Sequence, residues 1–432
     1  MGIARVLIVG GGGREHALAW ACRRDARDVD LIVAPGNAGT ADIAENVAVD
    51  VTDAQGIARL AADREVDLVV IGPDAAAAAG VADACAARGV AVFGPTASAA
   101  RIESSKTFAK QVMDGAGIPT ARWVAGTVED RPRLAGFIND VGGACVVKAD
   151  GLALGKGVLV CDGVAEAEQA LDACLREQRF GDAGRKVVIE ERLDGVEVSI
   201  FGLSDGARVR SLVPARDHKR IFDGDRGPNT GGMGAVAPPP DVTGGGFAEE
   251  VARTVLDPCV AALRERGTPF VGCLYAGLML TRDGMRVLEF NARFGDPEAQ
   301  VILPLLDESV LELFAACARG EVDAGIARAL PGAAAVGVVA AAAGYPGDVR
   351  RGDVITGLDS LDDGVLCFQA GTSRDPGGAL RTAGGRVLCV TAIAAGVEAA
   401  RDLAYANLAR VHFEGMQARG DIGRTVTAGV PS

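Results

Sequence analysis

A multidomain protein of α/β and α+β units, beginning with an open parallel α/β sheet, is the fold class that three features of the sequence predict. Two apolar runs, 4–10 (A-R-V-L-I-V-G) and 66–72 (V-D-L-V-V-I-G), each end on glycine and pass into a helical pattern, as the buried strands of βα units do. The 432 residues exceed what one core supports and divide into about three or four domains. From about residue 333 the pattern changes to strand and hairpin signals with G-Y-P-G-D and A-G-G-R turns, which reads as a separate small α+β cap.

With 49% apolar and 23% charged residues the composition is that of an ordinary globular protein. A net charge of −13 argues against a nucleic-acid or anionic-membrane surface, because phosphate backbones reward clustered Lys and Arg. Ten cysteines stand singly with no C-x-x-C, beside three histidines. That is the pattern of reduced core thiols in a cytoplasmic protein, and it leaves little for a zinc site. The N-terminus runs directly into a strand with no cleavable signal, and the alanine-rich stretch 75–87, which carries Asp83, reads as a soluble helix. A monomer with small-molecule substrates is expected.

After the first strand, G-G-G-R-E-H-A-L-A-W-A opens a helix whose N-terminus faces an anion. The spacing suits a dinucleotide fingerprint only loosely, and L-I-V-A-P-G-N-A-G-T stands where an acidic residue would end the second strand. A small phosphorylated metabolite fits as well as NAD. V-A-V-F-G-P (90–95) and a helix from about residue 97 complete the first sheet, with its ligand edge at the strand C-termini. A further helix begins at Ser105. Between 120 and 190, short strands and helices surround V-V-K-A-D-G-L-A-L-G-K-G-V (146–158). Gly151, Gly155 and Gly157 let backbone N–H groups approach an anion there, while Lys148 and Lys156 supply charge. A plain glycine-rich hairpin turn accounts for the same residues equally well. A Walker A loop is excluded, because Asp150 stands at its first glycine and Gly157 at its hydroxyl residue.

V-V-I-E-E-R-L-D-G-V-E-V-S-I-F (187–201) predicts two strands joined by a turn at Asp194 and Gly195. Residues 214–240, rich in Gly, Pro, Asp and Arg, read as a long irregular functional loop. A helix over 247–266, strands over 271–280 and 285–291, and a helix from Pro297 to about 320 lead to the cap, which ends in a helix over 397–413. The domains expected are 1–104, 105–190, 191–330 and 331–432.

In V-L-E-F-N-A-R-F-G-D-P-E (287–298) the period of a strand puts Glu289, Asn291 and Arg293 on one face. Two oxygen ligands and a cation in a row suit a divalent metal beside a polyphosphate. A solvent-facing edge is the bland alternative, weakened by Leu288, Phe290 and Phe294, which make the other face core-like. No nucleophile–base pair is apparent. His218, between Asp217 and Lys219, is a candidate site residue, whereas His412 reads as structural filling on the last helix.

The spacing of Lys106, of Lys148 with the loop to Gly157, of E-E-R-L-D-G-V-E and of E-F-N-A-R-F-G-D-P-E resembles the ATP-grasp ligases. G-G-R-E-H-A (12–17), P-G-N-A-G-T (35–40), D-H-K-R (217–220), G-P-N-T-G-G-M-G-A (227–235) and L-Y-A-G-L-M (274–279) narrow the resemblance to the phosphoribosylamine–glycine ligase family. The resemblance implies a pre-ATP-grasp domain, a two-lobed ATP-grasp core and a C-terminal cap. It implies that ATP, glycine and 5-phosphoribosylamine give glycinamide ribonucleotide, ADP and phosphate through glycyl phosphate, in purine synthesis.

By the same resemblance, Lys106 and Lys148 contact ATP phosphates and the loop with Gly151, Gly155, Lys156 and Gly157 closes over them. The backbone from Glu190 to Leu193 reads adenine, with a carboxylate of Glu191 or Glu197 on the nucleotide. Glu289 and Asn291 hold Mg²⁺ or Mn²⁺, and Arg293 stabilises the acyl phosphate. Asp217, Lys219, Arg220, Asn229, Thr230 and Gly231 serve glycine and the transferring phosphoryl group. Gly12, Gly13, Arg14, Glu15, Asp74 and Arg386 are implied for phosphoribosylamine.

The sequence departs from the family at G-P-D-A-A-A (72–77), where Asp74 stands for a glutamate, and at Ser104, Leu154 and Gln369. These changes bear on substrate affinity more than on reaction type. An ATP-binding paralogue without sugar binding and another ATP-grasp carboxylate–amine ligase are the alternatives.

Overall fold

A computed structural model describes residues 3–26, 28–151, 157–242 and 246–424. Its first sheet is wholly parallel and runs Glu45–Asn46, Asp30–Pro35, Arg5–Gly10, Leu68–Ile71, Ala91–Phe93. Chain order reverses at Arg5–Gly10, so the ligand crevice of such a sheet opens where that strand ends, beside the helix Gly13–Asp25. The strand is apolar without alternation because both its faces are covered: Leu7 and Val9 belong to one core, Val6 and Ile8 to another, and all four are 0% exposed. Burying each is worth about 1.5–3 kcal/mol.

The lid-bearing sheet is antiparallel, in the order Trp123–Gly126, Val187–Glu191, Cys145–Ala149, Val158–Cys161. It has its own core, built on Leu134, Ile138, Val147, Leu171 and Ile189. A larger sheet carries the strand of Glu289 and Asn291, in the order Gly284–Asn291, Val271–Thr281, Val196–Asp205, Val209–Ser211, Gly325–Ile326. Its residues Ile200, Leu274 and Phe290 share a core with Leu7 and Val9 of the first sheet, so the two pack as one body.

Several elements differ from the sequence reading. The segment 187–201 does form two strands, but Val187–Glu191 and Val196–Asp205 belong to different sheets, so residues 192–195 are a crossing between layers. Gly195 permits it: a Cβ there would lie 2.2 Å from the carbonyl oxygen of Leu280. The loop 214–240 contains four short strands, and two of them, Arg216–Asp217 and Gly234–Ala237, join Ala333–Ala341, Arg386–Ala395 and Leu366–Gln369 in the cap sheet. The cap sheet is therefore shared with the central region.

The alanine-rich helix is divided into Asp74–Ala78 and Val81–Ala86 by Gly80, at φ +80°. The helix after Phe247 contains a π turn, Ala252–Leu256, just before Pro258, which has no N–H to continue the α ladder. The helix expected from Pro297 is broken into Ala299–Ile302 and Val310–Arg319, the second capped by Ser309, whose Oγ accepts the Glu312 N–H. The last helix stops at Leu408, and His412 lies beyond it, exposed, in a bridge with Thr356; it fills no core. No helix among the described residues is long and apolar enough to cross a membrane.

The cap is tied back to the first sheet. Asn37 of the P-G-N-A-G-T motif donates from Nδ2 to the carbonyls of Gly11 and Gln369, and the Gln369 N–H donates to His16 Nδ1 at 2.9 Å.

Candidate active site

Lys106 begins the helix Lys106–Ala116, which Ser105 caps by accepting the Phe108 N–H. Asp150 supplies a second cap from the end of Cys145–Ala149: its Oδ1 accepts the Thr107 N–H and the Ser105 hydroxyl, both at 3.1 Å. The residue at the first glycine of a Walker loop thus locks the lid sheet to this helix. Lys106 Nζ reaches the carbonyl of Gly151 at 3.1 Å.

Lys148, Lys110 and Glu190 form a buried triad, respectively 6%, 2% and 2% exposed. Glu190 forms ion pairs with Lys148 at 2.7 Å and with Lys110 at 2.9 Å. Lys148 also donates to the carbonyl of Leu288, and Lys110 to Thr120 Oγ1, which in turn donates to the carbonyl of Val287. Both lysines thereby grip the strand of Glu289, Lys110 through Thr120. Burial pulls the Lys110 ammonium down to about 8 and, against the pull of Glu289, draws Lys106 below its usual range.

These lysines border a cavity of about 170 Å³ that also receives Glu289, Asn291, Arg293, Glu103, Asp74, Gly151 and Gly157. The strand of Glu289 ends at Asn291 and carries a bulge at Leu288, so Arg293 follows on irregular backbone, yet all three residues meet in the cavity. Burial acts to raise the Glu289 carboxyl, but Lys219, Lys148, Lys106 and Arg293 hold it below the ordinary carboxylate range. Among the described residues no three His, Cys, Asp or Glu side chains form a metal cluster. One ionised carboxylate and one amide oxygen still fit Mg²⁺, which keeps most of its coordination for phosphate oxygens and water.

Glu103 holds Arg293 in place. Its Oε1 pairs with Arg293 Nη2 at 2.9 Å, and its Oε2 accepts the Ala292 N–H at 2.8 Å. Burial opposes the Arg293 charge, but Glu103 and Asp74 keep it firmly protonated. Its buried Nε–H has no partner.

The loop 217–232 approaches from the other side. Lys219 Nζ pairs with Glu197 at 2.8 Å, and the carbonyl of Lys219 accepts both the N–H and the hydroxyl of Thr230. Burial, reinforced by Glu298, Glu197 and Glu289 and opposed by Lys219, pushes the Asp217 carboxyl up to about 7. Desolvation acts to lower Lys219, but the carboxylates of Glu197 and Asp217 hold it well above its usual range. His218 is buried beneath the loop with Nδ1 unpartnered. Asn229 is exposed, and Arg220 turns back onto the carbonyl of Gly227.

At the first helix, Glu15 accepts the Gly12 N–H and pairs with Arg14, which donates to the carbonyl of Phe294. Asp296 faces the same turn: a Cβ on Gly12 would lie 3.5 Å from its Oδ2, and one on Gly13 would lie 3.7 Å from its Oδ1. Arg386 pairs with that Asp296 at 3.0 Å and donates to the carbonyls of Gly231 and Asp296. The helix start, Arg386 and Gly231 therefore converge on Asp296.

Other candidates lie apart. Glu191 accepts the Arg122 N–H, Glu197 is taken by Lys219, and Leu193 sits in the crossing between sheets. Gly155 and Lys156, like Leu154, lie outside the described residues. Sequence reasoning missed Glu103, Lys110 and Asp296. Lys110 had a signal: it follows Lys106 by four residues on one helix and so shares its face.

Three family models match the chain in order: phosphoribosylglycinamide synthetase N domain over 4–103, its ATP-grasp (A) domain over 104–299 and its C domain over 335–425. The phosphoribosylamine–glycine ligase of Xylella fastidiosa (strain 9a5c) is 46% identical over 425 residues, which are 97% of this chain and 96% of that protein. The human trifunctional purine biosynthetic protein adenosine-3 is 46% identical over 97% of this chain, which spans 42% of its length. The crystal structure of phosphoribosylamine–glycine ligase from Thermotoga maritima superposes with a TM-score of 0.84 at 34% identity, covering 96% of this chain and 99% of that one. The biotin carboxylase domain of Hydrogenobacter thermophilus 2-oxoglutarate carboxylase, solved with MgADP and bicarbonate, shares the fold at a TM-score of 0.74 and 17% identity, with 97% and 92% coverage.

Proposed function

This chain belongs to the phosphoribosylglycinamide synthetase family, and from that premise we propose how its cavity ligates glycine to 5-phosphoribosylamine with consumption of ATP. The activity is carbon–nitrogen ligation in purine biosynthesis, with ATP as co-substrate. One observation carries the assignment of residues: Lys106, Lys148, Glu289, Asn291 and Arg293, drawn from three separate elements, border a single cavity.

A carboxylate is a poor electrophile, so glycine is first activated. Its oxygen bonds to the γ-phosphorus of ATP as the bond to the β–γ bridging oxygen breaks, giving glycyl phosphate and ADP. The amine nitrogen of phosphoribosylamine then bonds to the glycyl carbonyl carbon, phosphate leaves, and the nitrogen gives up a proton. No enzyme nucleophile takes part; catalysis is positioning and charge neutralisation. Lys106 and Lys148 face the phosphates, and Arg293 offers its free Nε–H to the charge that develops on the acyl phosphate. Glu289 and Asn291 would hold Mg²⁺ or Mn²⁺, which would offset negative charge on the polyphosphate. Lys219 and Asp217 serve glycine from the loop side. Asp74, the helix start and Arg386 with Asp296 border the sugar phosphate.

Ten unpaired cysteines, nine of them buried, suit a cytoplasmic setting. Phosphate release from ATP and Mg²⁺ tests the reading, with glycine and freshly generated phosphoribosylamine supplied together or singly. Release is expected only with both co-substrates. ATP hydrolysis that ignores them, or none at all, defeats the reading.

A further inference from the structure

The segment A-R-G-D-I-G (418–423) lies far in sequence from every residue given a role above. Arg419 within it is only 2% exposed, a burial that charged guanidinium groups rarely reach without dedicated partners. Its Nε and Nη2 donate to the two oxygens of Asp421, each at 2.7 Å. Its Nη1 donates to Asp225 Oδ1 at 2.7 Å and to the carbonyl of Arg220 at 3.1 Å. Two backbone contacts flank it: the Gly224 N–H donates to Asp421 Oδ2, and the Gly420 N–H to Asp223 Oδ1, both at 2.8 Å.

All these contacts hold one element, the hairpin Arg220–Phe222 with Arg226–Asn229. The hairpin pairs with no other strand, is exposed from 222 to 229, and buries Ile221 alone in a small cluster with Met233 and Ala341. Two strands in isolation are marginal in water, so the hairpin needs an external hold. The carbonyl that Arg419 grips belongs to the residue after Lys219. Movement there displaces Lys219 and Thr230, which closes on the carbonyl of Lys219.

We propose that Arg419 is a positioning residue for the reaction, holding the 220–229 hairpin so that Lys219 and Asp217 face the cavity. This rests on the role given above to the 217–232 loop. Only a planar fork satisfies Asp421, Asp225 and a carbonyl together, so lysine does not replace it.

The test compares Arg419→Lys, Asp225→Asn, Lys219→Met and the Arg419→Lys, Lys219→Met double variant in the phosphate-release assay. Asp225 is 64% exposed at its side chain and sits at φ +52°, a conformation that Asn tolerates equally, so Asp225→Asn reads the clamp even where Arg419→Lys fails to fold. We expect Arg419→Lys to lower kcat by about a hundredfold, the scale of a displacement near 1 Å, with KM for ATP within about twofold of the parent. Asp225→Asn lowers the same parameter by less. In the Lys219→Met background, Arg419→Lys adds almost nothing, because both changes disable one unit. An unchanged kcat in Asp225→Asn and in folded Arg419→Lys overturns the proposal, and so does a full additional loss in the double variant. Full turnover by Lys219→Met overturns the role of the loop itself, independently of Arg419.

Discussion

Glu289 is half-buried, four cations face it and hold its carboxyl below the ordinary range, and it is the one carboxylate of the pair proposed above to hold the metal. Glu289→Ala is expected to abolish turnover while the far-UV spectrum stays that of the folded parent; an unchanged kcat would remove it from the site. That Glu289 and Asn291 share a face was legible because alternation along a strand is a local property, whereas Arg293 joins them from beyond the strand's end. Glu103 was not. It sits in a four-residue helix, Arg101–Ser104, and nothing in R-I-E-S-S-K announces that its partner lies 190 residues away on the far side of the cavity.

Among the elements, the sheet of Lys148 and Glu190 is attached to the strand of Glu289 through the Lys110–Glu190–Lys148 triad. Removing the only anion leaves two ammonium groups buried together, and losing one partner of such a pair destabilises by about 3–5 kcal/mol. Glu190→Leu should shift the urea midpoint accordingly, whereas Lys110→Met, which leaves Glu190 paired with Lys148, should shift it far less. Equal losses in the two variants would show that packing, and not charge balance, governs the site. The strand types over 187–201 were legible from their composition. That the two strands enter different sheets was not, because it depends on the contact of Gly195 with the Leu280 backbone.

On the scale of the whole molecule, His16 and His218 couple stability to pH. Burial lowers both to about 4; Asp42 works against this at His16, and the Arg419 cation adds to it at His218. Both folded values lie below the ordinary value of 6.5, so between pH 6.5 and 4 the unfolded chain binds the extra protons. Their stabilisation is complete above pH 6.5 and falls on acidification, by about 2 kcal/mol each at pH 5. Urea unfolding at pH 7.5 and pH 5 should show the parent losing about 2 kcal/mol more than His16→Asn, a comparison in which the opposite contribution of the raised Asp217 carboxyl cancels. The same pH dependence in parent and variant would refute the account. His16 joins the first helix to the cap at Gln369, so its titration reports on how the ends of the chain meet.

The sequence by itself determined the parallel first sheet, the strand that carries Glu289 and Asn291 and, through its motifs, the family. Each of these depends on residues a few positions apart, where strand and helix periods and glycine's backbone freedom act. Only the tertiary structure decided that Glu190 balances two lysines, that Glu103 and Asp296 hold Arg293 and Arg386, and that Arg419 reaches back to the hairpin. A charge leaves water only when its partner is already in place, and that partner is chosen by how the sheets stack, across separations of up to about two hundred residues that no local pattern encodes.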